Sequence, residues 1–331
     1  MGGSAGGRGN GVRRNIGGGL LASACLGAII LAAVLAPWLA PLPPDLQEDV
    51  AGARYLPPLT RAQALRLSSD RVRVLTSLRA TPAGWMGVRN GRREEFTASE
   101  VLGAPAPRFY LLGTDSLGRD LTSRLLFGTR HTLVITALSA ILATFLGVAV
   151  GAVAGLGGRR WDDSLMRGVD VLRCMPRLLL VLVCASLFPP STLLLVLILG
   201  ATTWTGLARI LRGQMRVLAR SDLAAAARAS GASPLRVALR HLLPQATPLL
   251  TVNAALRLAD IILLESALSL LGIAAPPPAV SLGGVMASGS DALSGAWWIA
   301  AWPGLLIAGM VFALRSTGAR FLRLPDPPSV A

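Results

Sequence analysis

The sequence predicts an all-helical integral membrane protein with six transmembrane helices and both termini cytoplasmic. Three observations predict it. Apolar residues make up 53% of the 331, and the mean hydropathy is +0.58, above the level of soluble domains. Several apolar runs approach or exceed the roughly 20 residues that cross a hydrocarbon core of about 30 Å. In the short loops between those runs the basic residues, all of them arginine, gather on one side, as in cytoplasmic loops.

The first span covers about Gly17–Leu39, behind a glycine-rich tail carrying Arg8, Arg13 and Arg14. It is too long for the core of a cleaved signal peptide, and Ala36-Pro37-Trp38 is a poor cleavage context. The second, about Thr132–Leu156, carries Gly147, Gly151 and Gly155, a spacing that lets another helix approach closely. The third, about Gly168–Phe188, is the least apolar and holds Asp170, Arg173 and Arg177, whose arginines can snorkel to the interface. The fourth, fifth and sixth run over about Ser191–Ala208, Pro248–Leu271 and Ala296–Leu314. With the N-terminus inside, the segments around Arg159, Arg160 and Arg167, the seven arginines of 209–247, and Arg315, Arg320 and Arg323 are all cytoplasmic. The first outer loop also carries arginines, but it is longer than the loops that set orientation. Within it, Gln63–Leu78 is expected to form a short amphipathic helix, closed by Pro82-Ala83-Gly84. The chain then divides into 1–39 (tail and first helix), 40–130 (outer region), 131–315 (five-helix core with the cytoplasmic loop 209–247) and 316–331 (C-terminal tail).

Composition excludes several chemistries. The net charge of +15 comes from 32 basic residues without one lysine. Abundant Ala, Gly, Pro and Arg without Lys reads as coding bias, so no nucleic-acid partner is expected. A Walker A loop needs a lysine to reach the nucleotide phosphates, so any ATP must be bound by another subunit. Cys25, Cys174 and Cys184 lie in apolar segments without metal-ligand spacing. His131 and His241 are too few and too far apart for a metal site. No nucleophile–base pair, phosphate loop or metal cluster is present in the sequence, and neither a catalytic role nor a cofactor in this chain is expected.

Two motifs carry the functional argument. Gly113-Thr114-Asp115-Ser116-Leu117-Gly118-Arg119-Asp120, just ahead of the second span, is a turn in which Arg119 can pair with either aspartate. It either caps the following helix rigidly or helps to receive a solute. Asp222–Pro244, reading DLAAAARASGASPLRVALRHLLP, is an alanine-rich helix, a glycine turn and a second amphipathic helix held outside the spans. That arrangement suggests a docking surface for a soluble partner. Within the fifth span, Arg257 and Asp260 share a helical face and can pair. Glu265 lies further along, where it either fixes helix packing or lines the passage. Trp297, Trp298 and Trp302 fit an interfacial belt.

Together, GTDSLGRD before an apolar helix and ARASGASPLRVALRHLLP closely resemble permease subunits of binding-protein-dependent ABC importers. The resemblance is to the second, C-type permease of the dipeptide/oligopeptide/nickel branch. It covers about Gly113–Pro327, with support from Gly157–Asp163, Leu264–Gly272 and Leu324–Pro327. It implies the type I importer permease fold, in which the cytoplasmic loop forms coupling helices seated in a groove on the ATPase. The motif alanines fall on Ala226 and Ala227, the turn glycine on Gly231 and the closing pair on Leu243-Pro244, while the motif glutamate falls on Ala225. Asp222, about one turn earlier, can substitute as the polar anchor, and Arg228, Arg236 and Arg240 offer charge-assisted bonds. The implied partners are a homologous permease, two ATPase subunits that bind ATP and Mg, an extracytoplasmic solute-binding protein, and the lipid of a bacterial inner membrane. Peptides, nickel chelates and glutathione all remain open as cargo. The rival reading is an ion-coupled secondary transporter using Asp260 and Glu265.

Overall fold

A computed structural model of the chain describes residues 8–273 and 278–321, with side chains over 21–273 and 278–319. The side chains of Arg8, Arg13, Arg14, Arg320 and Arg323, residues Ala275–Pro277 and the terminal Leu324–Pro327 lie outside that description.

The order of elements follows the chemistry of the chain. Helix α1 (Arg8–Val34) and the short α2 (Ala36–Leu39) precede an outer region that opens with α3 (Val50–Ala53). Strands β1 (Thr60–Arg66), β2 (Val72–Leu75), β3 (Ser77–Thr81), β4 (Gly84–Arg89), β5 (Arg92–Thr97) and β6 (Ala106–Tyr110) follow. Then come α4 (Leu121–Leu156), α5 (Arg159–Cys174), α6 (Arg177–Leu187), α7 (Thr192–Thr203) and α8 (Thr205–Leu218). The segment outside the spans is α9 (Asp222–Ala229), α10 (Pro234–Arg236), a π-helical turn at Val237–Leu242 and α11 (Leu243–Gln245). Helices α12 (Thr247–Leu270), α13 (Leu282–Ala287) and α14 (Trp298–Phe321) complete the described chain, with a 3-10 turn at Ser290–Ala292 ahead of α14. Serines start four of these helices by accepting a backbone N–H in the first turn: Ser191 from Leu194, Ser221 from Ala224, Ser233 from Arg236 and Ser281 from Gly284.

Among the described residues, Leu121–Leu156, Thr247–Leu270 and Trp298–Ala319 are each long and apolar enough to cross a bilayer. Helices α7 and α8, bent by 40°, make a fourth if counted as one broken span; Leu21–Val34 and Arg177–Leu187 are apolar but shorter. The membrane part is therefore all-helical with three or four full-length spans, where six were expected. Two expected spans are interrupted. The third breaks at Met175-Pro176, because proline disfavours helical geometry in the residue before it and offers no N–H. The fourth bends at Trp204 and continues to Leu218. The second starts at Leu121, eleven residues earlier than expected, because Asp120 accepts from the amide and hydroxyl of Ser123 and caps it there.

The chain divides into two compact units. One is built around Leu133–Glu265. In it the glycine stripe of α4 does receive a second helix: a Cβ at Gly147 would lie 2.9 Å from Leu207 Cβ, at Gly151 2.7 Å from the carbonyl of Ala208, and at Gly155 2.7 Å from Met215 Cβ. Helix α8 thus packs backbone-close on α4. Asp162 of α5 ties the same helix by ion pairs to Arg212 and Arg216. The hydrogen bond from Arg212, supported by Arg216, holds the Asp162 carboxyl below the usual carboxylate range.

The other unit contains Ile29–Thr132 and Ser266–Ile307. Its outer region is not helical over Gln63–Leu78. That segment forms β1, β2 and the start of β3, so the expected amphipathic helix is corrected, and the all-α expectation holds only for the membrane part. Two antiparallel sheets are present, ordered β2-β1-β6 and β3-β4-β5. Strand β1 is buried on both faces, with Leu65, Leu75 and Phe96 in one small core and Ala62, Val74 and Tyr110 in another. The β4–β5 hairpin turns on Asn90-Gly91, both at positive φ (47° and 76°), the backbone that a two-residue hairpin loop requires. Asp49 locks the region: it accepts from the amides of Gly52 and Val74 (3.1 and 3.0 Å) and from Nε and Nη2 of Arg89 (2.8 and 2.6 Å). Burial alone would raise the Asp49 carboxyl, but the Arg89 guanidinium and the two amides hold it below the usual range.

Candidate functional site

The Asp222–Pro244 segment forms a surface with a buried rear and an exposed front. Ala224, Val237, Leu242 and Ala246 close over Leu211 and Met215 of α8, anchoring the segment to the end of the broken span. Asp222, Ala225, Ala226, Arg228, Arg236, Arg240 and Pro244 face outward, and Ala227 and Leu243 are half-buried against the core. Leu223, Leu235 and Leu239 are 40%, 68% and 57% exposed, an apolar set that sequence reasoning had not singled out. On α-helical spacing Leu242 would share the face of Leu235 and Leu239, and it is the π-helical turn at Val237–Leu242 that carries it inward, so spacing alone does not mark this set. The surface is therefore alanines and leucines rimmed by arginines, suited to pack into an apolar groove with acidic edges.

Gly231 sets the angle of the two arms. It sits at φ +79°, with nothing within 4 Å of where a Cβ would lie, so the need for glycine is conformational rather than one of space. Arg228 turns back to donate to the carbonyl of Ala219 at 3.1 Å. The second arm does not stop at Leu243-Pro244, as expected. It widens into the π-helical turn ahead of Pro244, whose missing N–H breaks the regular ladder, and runs on to Gln245.

The Gly113–Asp120 loop satisfies itself. Thr114 is fully buried, with Oγ1 donating to the carbonyl of Ala53 at 2.5 Å and accepting from the amide of Leu56 at 2.8 Å. Asp115, also fully buried, accepts from the amides of Leu117 and Arg119 and from Arg119 Nε at 2.8 Å. Of its two candidate partners, Arg119 thus takes Asp115. Arg124, which sequence reasoning missed, approaches the same carboxylate at 3.4 Å. Gly113 and Gly118 are both at positive φ. A Cβ at Gly113 would lie 2.8 Å from Nε1 of Trp298, which itself donates to the carbonyl of Thr114 at 3.3 Å. Trp298 is buried against this loop and is no interfacial anchor, whereas Trp297 is exposed. This geometry accounts for the motif as a rigid cap on α4.

The charges of α12 are arranged differently from expectation. Arg257 and Asp260 do not pair. Arg257 donates through Nη1 to the carbonyl of Thr203, left free where α7 ends, and Asp260 is held by Arg315 at 3.2 Å. Glu265 is fully buried. Among the described residues no group of His, Cys, Asp or Glu is arranged to hold a metal ion.

Comparison with known proteins agrees with this geometry. Residues 147–324 match the model of the family described as binding-protein-dependent transport system inner membrane component, and residues 18–58 match the N-terminal TM domain of oligopeptide transport permease C. A Brucella suis biovar 1 protein assigned as a peptide transport system permease is 34% identical over 273 residues, covering 81% of this chain and 91% of that one. The di/tripeptide transport system permease protein DppC of Pseudomonas aeruginosa is 33% identical, covering 66% of this chain and 72% of that one. Among solved structures, the MetNI methionine ABC transporter in an inward-facing conformation superposes with a TM-score of 0.52 at 20% identity, covering 60% of this chain and 95% of that one.

The described chain has a helical membrane core that carries a helix–turn–helix outside its spans, in the fold seen in MetNI. The chain belongs to the family of binding-protein-dependent transport system inner membrane components. It is a multi-pass membrane component of a binding-protein-dependent transport system.

Proposed function

We propose that this chain is the C-type permease of a peptide importer, pairing with a homologous permease to enclose the passage and docking two ATPase subunits through Asp222–Pro244. The observation that carries the reading is the exposed Ala225, Ala226, Leu223, Leu235 and Leu239 surface, poised about Gly231 and anchored rigidly on α8. Small and apolar side chains outside the membrane gain from burial against a partner, and arginines at the rim can meet acidic groups there. Six spans result if Leu21–Val34 and Arg177–Leu187 cross with their flanking residues; both termini are then cytoplasmic. Peptide cargo is supported by the names of the relatives, including the oligopeptide transport system permease protein OppC of Haemophilus influenzae, 30% identical over 219 residues.

Transport then follows as a coupled two-state equilibrium. ATP binding draws the ATPase subunits together, the grooves carry α9 and α10 with them, and α8 passes the movement to α4 across the glycine contact. The passage opens outward to the binding protein, and reverts after hydrolysis to release the solute inside. Asp222 stands in for the glutamate missing at Ala225. A mild-detergent pull-down from native membranes, read by mass spectrometry, tests the assembly. A second permease and Walker-type ATPases are expected; a chain recovered alone after crosslinking would overturn the reading.

A further inference from the structure

We propose that the two open, adjoining cavities between the α5–α6 break, the α7–α8 bend and α12 form an anion-binding site, in which Arg177 and Arg257 hold a carboxylate or phosphate group. Two adjoining cavities share Arg177 as a wall. One, of about 400 Å³, is lined by Arg173, Pro176, Thr202 and Thr205 among others. The second, of about 200 Å³, is lined by Thr203, Asn253, Arg257 and Asp260 among others. All these residues belong to the compact unit around Leu133–Glu265.

Arg257 is the central observation. It is only 8% exposed, yet its Nε has no hydrogen-bond partner, and Nη1 is spent on a single backbone carbonyl. Its nearest carboxylate along α12, Asp260, is engaged by Arg315. Neither Arg173 nor Arg177 forms an ion pair among the described residues. The wall therefore carries more positive charge than its own carboxylate offsets. A buried guanidinium left in that state is costly, and its fork of donors fits a carboxylate or phosphate bidentately. The fold also supplies room: the breaks at Pro176 and Trp204 open a gap that continuous helices would fill. Ten residues into α12, Arg257 lies about 15 Å from the start of that helix, on the half of the span nearer the docking segment. A solute carboxylate on its way out, or an anionic lipid headgroup, presents the same chemistry here.

The test reads binding without ATP or binding protein, so it stands or falls separately from the importer reading. The protein, with whatever subunits accompany it from native membranes, is placed in phosphatidylcholine nanodiscs, and its unfolding temperature is followed as N-acetyl-dialanine or its C-terminal amide is added. A second series replaces part of the lipid with phosphatidylglycerol. The free acid, the anionic lipid or both should raise the unfolding temperature, and the amide should not. Arg257→Gln and Arg177→Gln should each weaken the response about tenfold, the loss of one charge-assisted bond. A response to the acid assigns the site to a solute carboxylate; a response to phosphatidylglycerol alone assigns it to a lipid headgroup. Arg177 is exposed on the cavity wall, so its variant decides the matter if Arg257→Gln does not assemble. No anion effect on the unaltered protein, or an undiminished one in Arg177→Gln, overturns the proposal.

Discussion

Gly231 joins two helices through a backbone angle that β-branched residues avoid. Gly231→Val meets no neighbour, so its cost is the left-handed strain alone, about 1–2 kcal/mol. The docking segment should relieve that strain by changing the angle between its arms. The expected outcome is normal membrane insertion with ATP hydrolysis uncoupled from uptake, read by comparing the two rates in proteoliposomes; normal ATP-driven uptake would remove the segment from its proposed role. Asp49 makes a different kind of prediction. Its pKa is depressed in the folded state, so its contribution is complete above the usual aspartate range of about 3.9 and is lost as pH falls through and below it. Removing the carboxylate leaves Arg89 with Glu94 alone and strips the amides of Gly52 and Val74 of their acceptor. Asp49→Ala should therefore destabilise the outer sheets by about 3 kcal/mol, with faster proteolysis of the 60–110 region at neutral pH. The unaltered protein should show the same sensitivity only in strong acid. Equal cleavage of both proteins at neutral pH would count against the lock.

At the scale of elements, the close contact of α4 with α8 links the membrane core to the docking segment. Gly151 faces a backbone carbonyl, which cannot move aside as a flexible side chain can. Gly151→Leu should force the helices apart at a cost of about 1–3 kcal/mol. The detergent-extracted protein should then melt several degrees lower, whereas Gly213→Leu, at a glycine with no neighbour within 4 Å, should not. Equal melting of both variants would contradict the packing. The glycine spacing was legible in the sequence because close approach leaves a direct compositional mark. The β-insertion was not read, although Asn90-Gly91 between two short runs is a hairpin signal. Its strands carry several exposed arginines, and β1 is buried on both faces, so the alternation that marks a half-buried strand is diluted.

For the whole molecule, the energy source separates the proposed importer from a gradient-driven carrier. Proteoliposomes containing the two permeases should accumulate solute only with the ATPase subunits, ATP and the binding protein, and an imposed proton gradient should not replace them. Gradient-driven uptake would return attention to Glu265. Asp260 is a poorer candidate than the sequence suggested, since it is already paired with Arg315. That pair links residues 55 apart in the chain, a separation at which local spacing carries no information.

The sequence by itself determined the membrane class, the helix–turn–helix of Asp222–Pro244 and the need for glycine at 231. Each follows from local composition or from a single backbone angle. It also carried the family, through short motifs whose residue order is itself the signal. Only the tertiary structure decided which partner each charge takes: Asp115 for Arg119, Arg315 for Asp260, the carbonyl of Thr203 for Arg257, and Arg89 for Asp49. Most of those choices are made between residues far apart in the chain. They are fixed by where helices break and sheets turn, and so depend on the packing of segments whose sequences say nothing of one another.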